Sequence, residues 1–193
     1  GEIPEHYFQG IGGGPGPIGV HEMAERLIES GQFEGPAPRQ HLSQNVEHSP
    51  IHHAWQVKRE QLIPEDFPSH DVEVYSDYLM NKGPAYGQVG GVHDILKASN
   101  GETYVVERND AVTAKILFES IEGIDIMTPG AVALASLQQA LASGEIAPSS
   151  CTVLNISGGG VERLKHEHAT TVVEPWLRVT KANGASMILE ALQ

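Results

Sequence analysis

The apolar positions of the chain follow two periodicities, one typical of β-strands and one typical of helices. Residues 6–11 are rich in aromatic and apolar side chains and predict a strand. A glycine-rich run follows at residues 12–16. The next segment has apolar residues near helical spacing, which predicts a helix that begins at Pro17 and is stopped by Gly31. The first unit is therefore a strand, a glycine loop and a helix.

The second unit is less regular. Residues 39–45 predict a strand, although an unusually polar one, and Pro50 opens a predicted helix at residues 51–62. The proline- and glycine-rich region 63–88 is expected to be irregular, with one short helix at about residues 74–80.

The pattern becomes regular again in the second half of the chain. In the predicted helix at residues 109–120, Asn109 is expected to be the cap and Val112, Ile116 and Leu117 to face inward. The other predicted elements are a helix at 90–99, a strand at 103–106, a short strand or connector at 124–126, a helix at 129–142 that ends near Gly144, and a buried strand at 151–156.

This alternation of strands and helices predicts an α/β fold, doubly wound, with a mainly parallel sheet and helices on both faces. Ligands of such sheets bind outside the carboxyl ends of the strands. Both glycine-rich runs of the sequence, residues 12–16 and 158–160, follow a predicted strand. The sequence therefore predicts a binding site at the edge of the sheet where these two runs meet.

The composition is that of a globular protein. Of the 193 residues, 40% are hydrophobic and 19% are charged, enough apolar content for one domain with its own core. The formal net charge of −13 argues against a nucleic-acid partner, which needs a basic face, and against an anionic membrane surface. Small anionic ligands remain possible, because local amides and helix ends hold them.

The cysteine content and the N-terminal residues give expectations about cellular location and about the start of the chain. Cys151 is the only cysteine, so no intrachain disulfide or cysteine-rich zinc site is possible, and a cytoplasmic location is expected. No apolar run approaches the ~20 residues of a membrane span. The first residues lack a signal pattern and an initiator Met, so the chain is expected to start inside a longer gene product or to follow a cleavage or a tag.

The first glycine run has the context of an anion site. A strand leads into Gly12–Gly16 and a helix follows, so free N–H groups and the positive end of the helix dipole face one point. The alternative is a tight turn without a ligand, but a turn does not need four glycines in five residues. A dinucleotide fingerprint, Gly14-x-Gly16-x-x-Gly19, is formally present. It lacks the expected acidic residue at the end of the second strand.

Ser157 is the second candidate. It follows an apolar strand and precedes three glycines, so its hydroxyl is expected at the end of the sheet, where it could contact a ring nitrogen or cap the next segment. The ten histidines, among them His52-His53 and His166 with His168, do not have metal-ligand spacing, and no metal site is expected. The absence of Gly-x-Ser-x-Gly removes the usual sign of a serine nucleophile.

Several runs resemble the fold type II pyridoxal-phosphate enzymes, and the threonine synthase branch matches best. Residues 7–14 resemble the approach of that family to its phosphate loop, and Glu122-Gly123-Ile124 with residues 129–135 resembles a later helix. Within the branch, residues 10–22 and 155–164 are most similar to the cysteate synthases of methanogenic archaea. The similarity spans most of residues 7–165, and residues 1–193 would then be the C-terminal, cofactor-cradling α/β domain of a longer enzyme.

The resemblance implies roles for individual residues. Gly12, Gly13, Gly14 and Gly16 would hold the phosphate of pyridoxal 5'-phosphate through their backbone N–H groups, and Ser157 would face the pyridine nitrogen. A neutral hydroxyl leaves that nitrogen largely unprotonated, which makes the ring a weaker electron sink. Such a ring suits the replacement of a group at the β-carbon of an amino acid.

The lysine that carries the cofactor precedes the phosphate loop in the family. All lysines of this chain follow the loop and none stands in a matching motif, namely Lys58, Lys82, Lys97, Lys115, Lys165 and Lys181. We therefore assign no catalytic residue to this chain and expect the isolated chain to be inactive.

The resemblance also implies a reaction. Sulfite would replace the phosphate of O-phospho-L-serine to give L-cysteate for coenzyme M biosynthesis, in a full-length enzyme that is a homodimer. Both substrates are anions and this part of the enzyme is acidic, so the rest would have to supply positive charge. Two alternatives stay open: threonine synthase or a related pyridoxal-phosphate lyase, and a non-catalytic module that binds a phosphate ligand.

Overall fold

A computed structural model describes residues 1–70, 72–171, 173–179 and 183–192. The chain divides into two compact units, Gly1–Val161 and Glu162–Gln193. In chain order the elements are β1 His6–Gly10, α1 Pro15–Glu29, β2 Arg39–Asn45, α2 Pro50–Gln56, two 3₁₀ turns at Pro64–Asp66 and Asp77–Leu79, α3 Val92–Ala98, β3 Glu102–Val106, α4 Arg108–Glu122, α5 Thr128–Ser143, β4 Thr152–Leu154, α6 Val161–Glu167 and α7 Gly184–Ala191.

The four strands form one sheet in the order β3-β2-β1-β4, and every neighbouring pair is parallel. In the register, Phe8 of β1 lies between His41 of β2 and Leu154 of β4. The parallel sheet predicted from the alternation of elements is confirmed. In the part of the chain that the structure describes, no helix is both long and apolar enough to cross a bilayer.

Helices cover both faces of the sheet, because alternate residues of each strand point to opposite sides. On one face Leu42 packs with residues of α2, α3 and the adjoining loops: Ile11, Ile51, Ala54, Tyr86, Val92 and Leu96. On the other face Phe8 and Val106 pack against small and branched residues, mainly of α4 and α5: Ala111, Ala114, Ala131, Val132, Ala135, Ala140 and Ile146. The prediction of a doubly wound sheet is confirmed.

Two predicted helix boundaries differ from the structure. Pro15, not Pro17, opens α1, because Gly14 has a left-handed backbone (φ 92°) and acts as the N-cap. The helix predicted at residues 51–62 ends at Gln56, where the amides of Lys58 and Arg59 turn back onto the carbonyls of the last turn. Lys58 has φ 57°, a conformation that ends a helix.

The predicted inward face of α4 is wrong. Val112, Ile116 and Leu117 are 39%, 61% and 41% exposed, and the buried residues are Ala111 and Ala114. Ala111, Ala114 and the partly buried Phe118 pack against the core, so the side chains at positions 112, 116 and 117 are left outside. Asn109 is not the cap either, because Glu107 holds that position.

The predicted buried strand at residues 151–156 is a shorter, half-exposed one. It forms β4, Thr152–Leu154, at the edge of the sheet, where Val153 is 43% exposed. The chain beyond β4 keeps contact with β1, since the amide of Asn155 donates to the carbonyl of Phe8 at 2.9 Å. An edge strand has one partner only, which explains why its apolar residues are not enclosed.

The unusual polarity of β2 has a structural reason. Its side chains are buried and act as hydrogen-bond partners for neighbouring segments. The Gln44 Oε1 atom accepts from the amides of Ile51 and His52, which are free at the start of α2. Asn45 pairs with both backbone groups of Ser76. The strand thus fixes the start of α2 and the irregular segment around Ser76.

His41 is a buried histidine on this strand, and it predicts an acid-sensitive fold. Its ring stacks on Phe8 with centroids 4.2 Å apart, and its nitrogens lie 3.0 Å from His6 Nδ1 and 2.8 Å from the Tyr104 hydroxyl. Burial, with help from the nearby Arg39 charge, lowers the pKa of His41 to about 3. The unfolded chain therefore takes up this proton between pH 6.5 and 3 while the folded chain does not.

We expect the free energy of unfolding to fall as the pH drops through that window, with His41 contributing up to about 1.4 kcal/mol per pH unit. Above pH 6.5 this contribution should vanish, because both states are neutral. Urea denaturation between pH 4 and 7 measures the slope. His41→Gln should flatten it, whereas His70→Gln, at an exposed histidine, should not. An equal slope in wild type and His41→Gln would contradict the prediction.

Candidate functional site

A cavity of about 250 Å³ lies at the carboxyl end of β1, where the chain passes from the strand through the glycine loop into α1. All five residues that the sequence singled out line it: Gly12, Gly13, Gly14, Gly16 and Ser157. The remaining lining residues are Gln9, Gly10, Ile11, Pro15, Tyr78, Leu79, Met127 and Pro129. The structure therefore brings the first glycine-rich run and Ser157, which precedes the second run, to one cavity at the carboxyl end of β1.

The glycine loop is held by its carbonyl groups rather than by its amides. The carbonyl of Gly13 accepts from Ala85 at 2.9 Å and that of Gly14 accepts from Ile18 at 3.3 Å. Among the described residues, no acceptor pairs with the amides of Gly12, Gly13, Gly14 or Gly16. Four N–H donors beside a cavity are the arrangement that binds an oxyanion.

Neighbouring segments leave no room for side chains on the loop. A Cβ atom on Gly14 would overlap Val92 Cγ2, and the φ of 92° at Gly14 is itself a conformation that favours glycine. A Cβ on Gly13 would lie 2.8 Å from Asn81 Nδ2, and one on Gly12 would lie 3.1 Å from the Leu79 carbonyl oxygen. The bare main chain is therefore enclosed by residues 79–81 and still open towards the cavity.

The electrostatics of the cavity favour an anion. Helix α1 is 15 residues long, begins at the cavity and has no acidic residue in its first turn. The positive end of its dipole, worth about half a unit charge, is thus not offset by a neighbouring carboxylate on the helix.

Ser157 reaches the cavity from the other side of β1. It lies on the loop after β4, exposed, and this loop is fixed to the start of α5 because the Met127 amide donates to the Gly158 carbonyl at 2.9 Å. Ile156 packs against the core next to α5, which orients the residue that follows. The hydroxyl is therefore carried by an anchored backbone.

Sequence reasoning missed a chain of polar side chains next to the cavity. Asn155 Nδ2 donates to the Tyr7 hydroxyl oxygen at 2.7 Å, and the Tyr7 hydroxyl donates to Gln9 Oε1 at 2.8 Å. The sequence did contain a sign of this chain, because Tyr7 and Gln9 carry polar groups at alternate positions of β1 just before the glycine loop. Leu79 and Asn81 were also missed, because they belong to a segment without regular periodicity.

Within Gly1–Val161, no described lysine or histidine lines the glycine cavity. Lys165 belongs to the second unit, Glu162–Gln193, and Lys181 is outside the described residues. Lys82 and His48 line a different cavity of about 460 Å³. Within the described ranges, no group of three or more His, Cys, Asp or Glu residues has the geometry to hold a metal ion.

Comparisons with known sequences give a consistent set of relatives. No protein-family model matches the chain. The cysteate synthase of Methanosarcina barkeri is 41% identical over 197 aligned positions, which cover 100% of this chain and 47% of that protein. The cysteate synthase of Methanocella arvoryzae is 46% identical over 181 positions, covering 92% of this chain and 43% of that protein. The chain thus spans less than half the length of these relatives, and they confirm the resemblance that its motifs predicted.

Comparisons with solved structures are more distant. Serine racemase from Dictyostelium discoideum matches with a TM-score of 0.58 and 16% identity, over 83% of this chain and 45% of that one. An L-serine ammonia-lyase from Rhizomucor miehei matches with a TM-score of 0.58 and 13% identity, over 86% of this chain and 49% of that one. At such identities the likeness concerns the fold alone, and it agrees with the predicted fold class.

Proposed function

We propose that this chain belongs to the cysteate synthase family and forms the C-terminal, cofactor-cradling part of a longer fold type II enzyme that uses pyridoxal 5'-phosphate. The observation that carries the proposal is the cavity in which the free amides of the glycine loop and the Ser157 loop converge. The similarity to cysteate synthases over the whole chain supports the same assignment.

The residues of the cavity fit the phosphate group of the cofactor. A phosphate dianion has three terminal oxygens that accept strong hydrogen bonds, and the loop offers unpaired N–H donors at the start of α1. The absence of side chains on Gly12–Gly14 lets the anion approach the main chain closely. Leu79, Met127 and Pro129 add apolar surface for the rest of the ligand.

The chain would act mainly by holding and tuning the cofactor. When bound, pyridoxal 5'-phosphate supplies an electron sink for negative charge at the α-carbon of an amino acid. The glycine amides and the dipole of α1 hold its phosphate and so fix the position of the ring. The neutral Ser157 hydroxyl would form a hydrogen bond with the pyridine nitrogen and leave it largely unprotonated. The ring is then a weaker electron sink, which favours replacement at the β-carbon.

The full-length enzyme would replace the phosphate of O-phospho-L-serine with sulfite and release L-cysteate for coenzyme M biosynthesis. The lysine that carries the cofactor would lie in a segment that precedes Gly1. We further propose a cytoplasmic enzyme that assembles as a homodimer. The acidic character of this part, with its net charge of −13, implies that the preceding segment provides the positive charge that both anionic substrates need.

The reaction is tested with the full-length protein and the cofactor. Phosphate release from O-phospho-L-serine should depend on sulfite, and the product should be cysteate by mass spectrometry. Release that proceeds with water alone, or threonine formation from O-phosphohomoserine, would instead identify a lyase or a threonine synthase. Cofactor binding without turnover of any of these substrates would identify a non-catalytic module.

Ser157→Ala should weaken cofactor binding and slow the reaction. The variant loses one hydrogen bond to the ring, so we expect a rise of about 3- to 10-fold in the dissociation constant of pyridoxal 5'-phosphate. Absorbance titration of the apoenzyme measures it. Ser149→Ala, at an exposed serine just before β4, is the matched control and should bind as wild type. If Ser157→Ala and Ser149→Ala bind pyridoxal 5'-phosphate with equal affinity, Ser157 does not contact the cofactor.

A further inference from the structure

The start of α1 offers fewer hydrogen-bond donors than a helix usually does. Pro15 and Pro17 have no N–H group, and the Ile18 amide is already bonded to the Gly14 carbonyl at 3.3 Å. Of the four N–H groups that a helix normally leaves free, those of the N-cap and of the first three residues, only those of Gly14 and Gly16 remain for a ligand. A dianion at this position therefore depends on donors outside the helix as well, which the amides of Gly12 and Gly13 and a neighbouring side chain can supply.

The Gln9 carboxamide lies at the place where donors are missing. It lines the cavity, and its Nε2 and Oε1 atoms are 2.6 Å and 2.8 Å from the position that a Cβ on Gly16 would occupy. Its main chain lies near the end of β1, where it pairs with Leu42 of β2. No described residue accepts a hydrogen bond from Gln9 Nε2, although the side chain is half-buried.

The polar chain behind Gln9 sets the orientation of this amide. Asn155 Nδ2 donates to the Tyr7 oxygen at 2.7 Å, so the single Tyr7 proton is directed to Gln9 Oε1 at 2.8 Å. Burial raises the pKa of Tyr7, so its hydroxyl keeps that proton. Because Gln9 Oε1 accepts the Tyr7 proton, the amide is held in one orientation. Its two N–H bonds are then available to a ligand.

We propose that Gln9 donates a side-chain hydrogen bond to the phosphate bound by the glycine loop, and that Tyr7 and Asn155 are positioning residues that orient its carboxamide. The proposal rests on the proposed function, because it takes the anion to be the phosphate of pyridoxal 5'-phosphate. It adds a neutral donor at the point where two prolines remove the backbone donors. It also explains why Gly16 has no side chain, since a Cβ there would displace the amide.

The test compares two ligands in the full-length apoenzyme, pyridoxal 5'-phosphate and pyridoxal, which lacks the phosphate. Gln9→Met removes the donors at similar volume, and Gln9→Glu also places a carboxylate next to the phosphate. We expect affinity for the phosphorylated ligand to fall about 10-fold in Gln9→Met and about 100-fold in Gln9→Glu. Affinity for pyridoxal should stay at the wild-type value in both. Gln32→Glu, an exposed glutamine, is the control for the added charge.

The positioning role has a separate readout. Tyr7→Phe should weaken binding of the phosphorylated ligand about 3-fold, because Gln9 is then free to rotate. In the Gln9→Met background the same change should have no further effect, so the two substitutions should be non-additive.

The outcomes separate the two proposals. If wild type binds neither ligand, the proposed function fails. If wild type binds pyridoxal 5'-phosphate and both Gln9 variants bind it equally well, Gln9 is not a phosphate donor. A parallel loss for both ligands would mean that Gln9 supports the fold of the site and would also overturn the inference.

Discussion

Gly14→Ala should destabilise the protein by about 2–5 kcal/mol and abolish binding of the phosphate ligand at micromolar concentrations. Gly14 has φ 92°, a backbone conformation that is unfavourable for residues with a Cβ atom. The added Cβ would also overlap Val92 Cγ2, in a core where Val92 is fully buried. Either the loop or α3 must shift, and both movements displace the amides that face the cavity.

Urea denaturation and absorbance titration of the full-length protein measure the two effects of Gly14→Ala. Gly19→Ala is the matched control, because Gly19 lies in α1, the helix that Gly14 caps, and an added Cβ there meets open space. It should stabilise the protein by up to about 1 kcal/mol and leave ligand binding unchanged. Adding Val92→Ala to Gly14→Ala should relieve the overlap but retain the backbone strain. Equal stability of the Gly14→Ala and Gly19→Ala proteins would contradict the expected strain.

Regular elements were predictable from the sequence where local signals were sufficient. The limits of β2 and the end of α5 agree with the periodicity and with the glycine that follows α5. The start of α1 was misplaced by two residues because both prolines suit a first helical position. The choice between them depends on the left-handed Gly14, whose conformation is set by contacts with distant residues. The face of α4 was misread because the helix carries apolar residues on two faces, and the buried face is the one that contains the small residues Ala111 and Ala114.

The site was predictable only in part. The glycine run and Ser157 could be found from their positions after strands and from the family resemblance. Gln9 could not, because its role depends on Asn155, which is 146 positions away and comes into contact only when β4 pairs with β1. The segment around Leu79 and Asn81 could not be placed either, since its position is set by β2 and not by its own sequence pattern.

Asn45 is the residue through which β2 sets that position. It is fully buried, its Nδ2 donates to the Ser76 carbonyl at 2.9 Å, and its Oδ1 accepts from the Ser76 amide at 3.0 Å. The Ser76 hydroxyl in turn accepts from Thr128 Oγ1 at 2.9 Å, at the start of α5. Ser76 precedes the 3₁₀ turn that brings Leu79 over Gly12. One asparagine therefore links the sheet to the wall of the cavity.

Asn45→Ala should cost about 2–5 kcal/mol of stability, because it leaves a buried N–H group and a buried carbonyl of Ser76 without partners. Residues 76–81 should then detach locally, so their amide hydrogens should exchange at least 10-fold faster and the dissociation constant of pyridoxal 5'-phosphate should rise by a similar factor. Asn109→Ala, at an exposed asparagine, is the matched control and should change none of these quantities.

Asn45→Asp separates the two hydrogen bonds. The aspartate keeps an acceptor for the Ser76 amide, but it replaces the donor with an oxygen that faces the Ser76 carbonyl in a buried position. We expect it to be at least as unstable as Asn45→Ala, with the same faster exchange at residues 76–81. A loss of stability that left this exchange and the ligand affinity at wild-type values would mean that Asn45 is an ordinary core contact. The wall of the cavity would then be held by its own packing and not by β2.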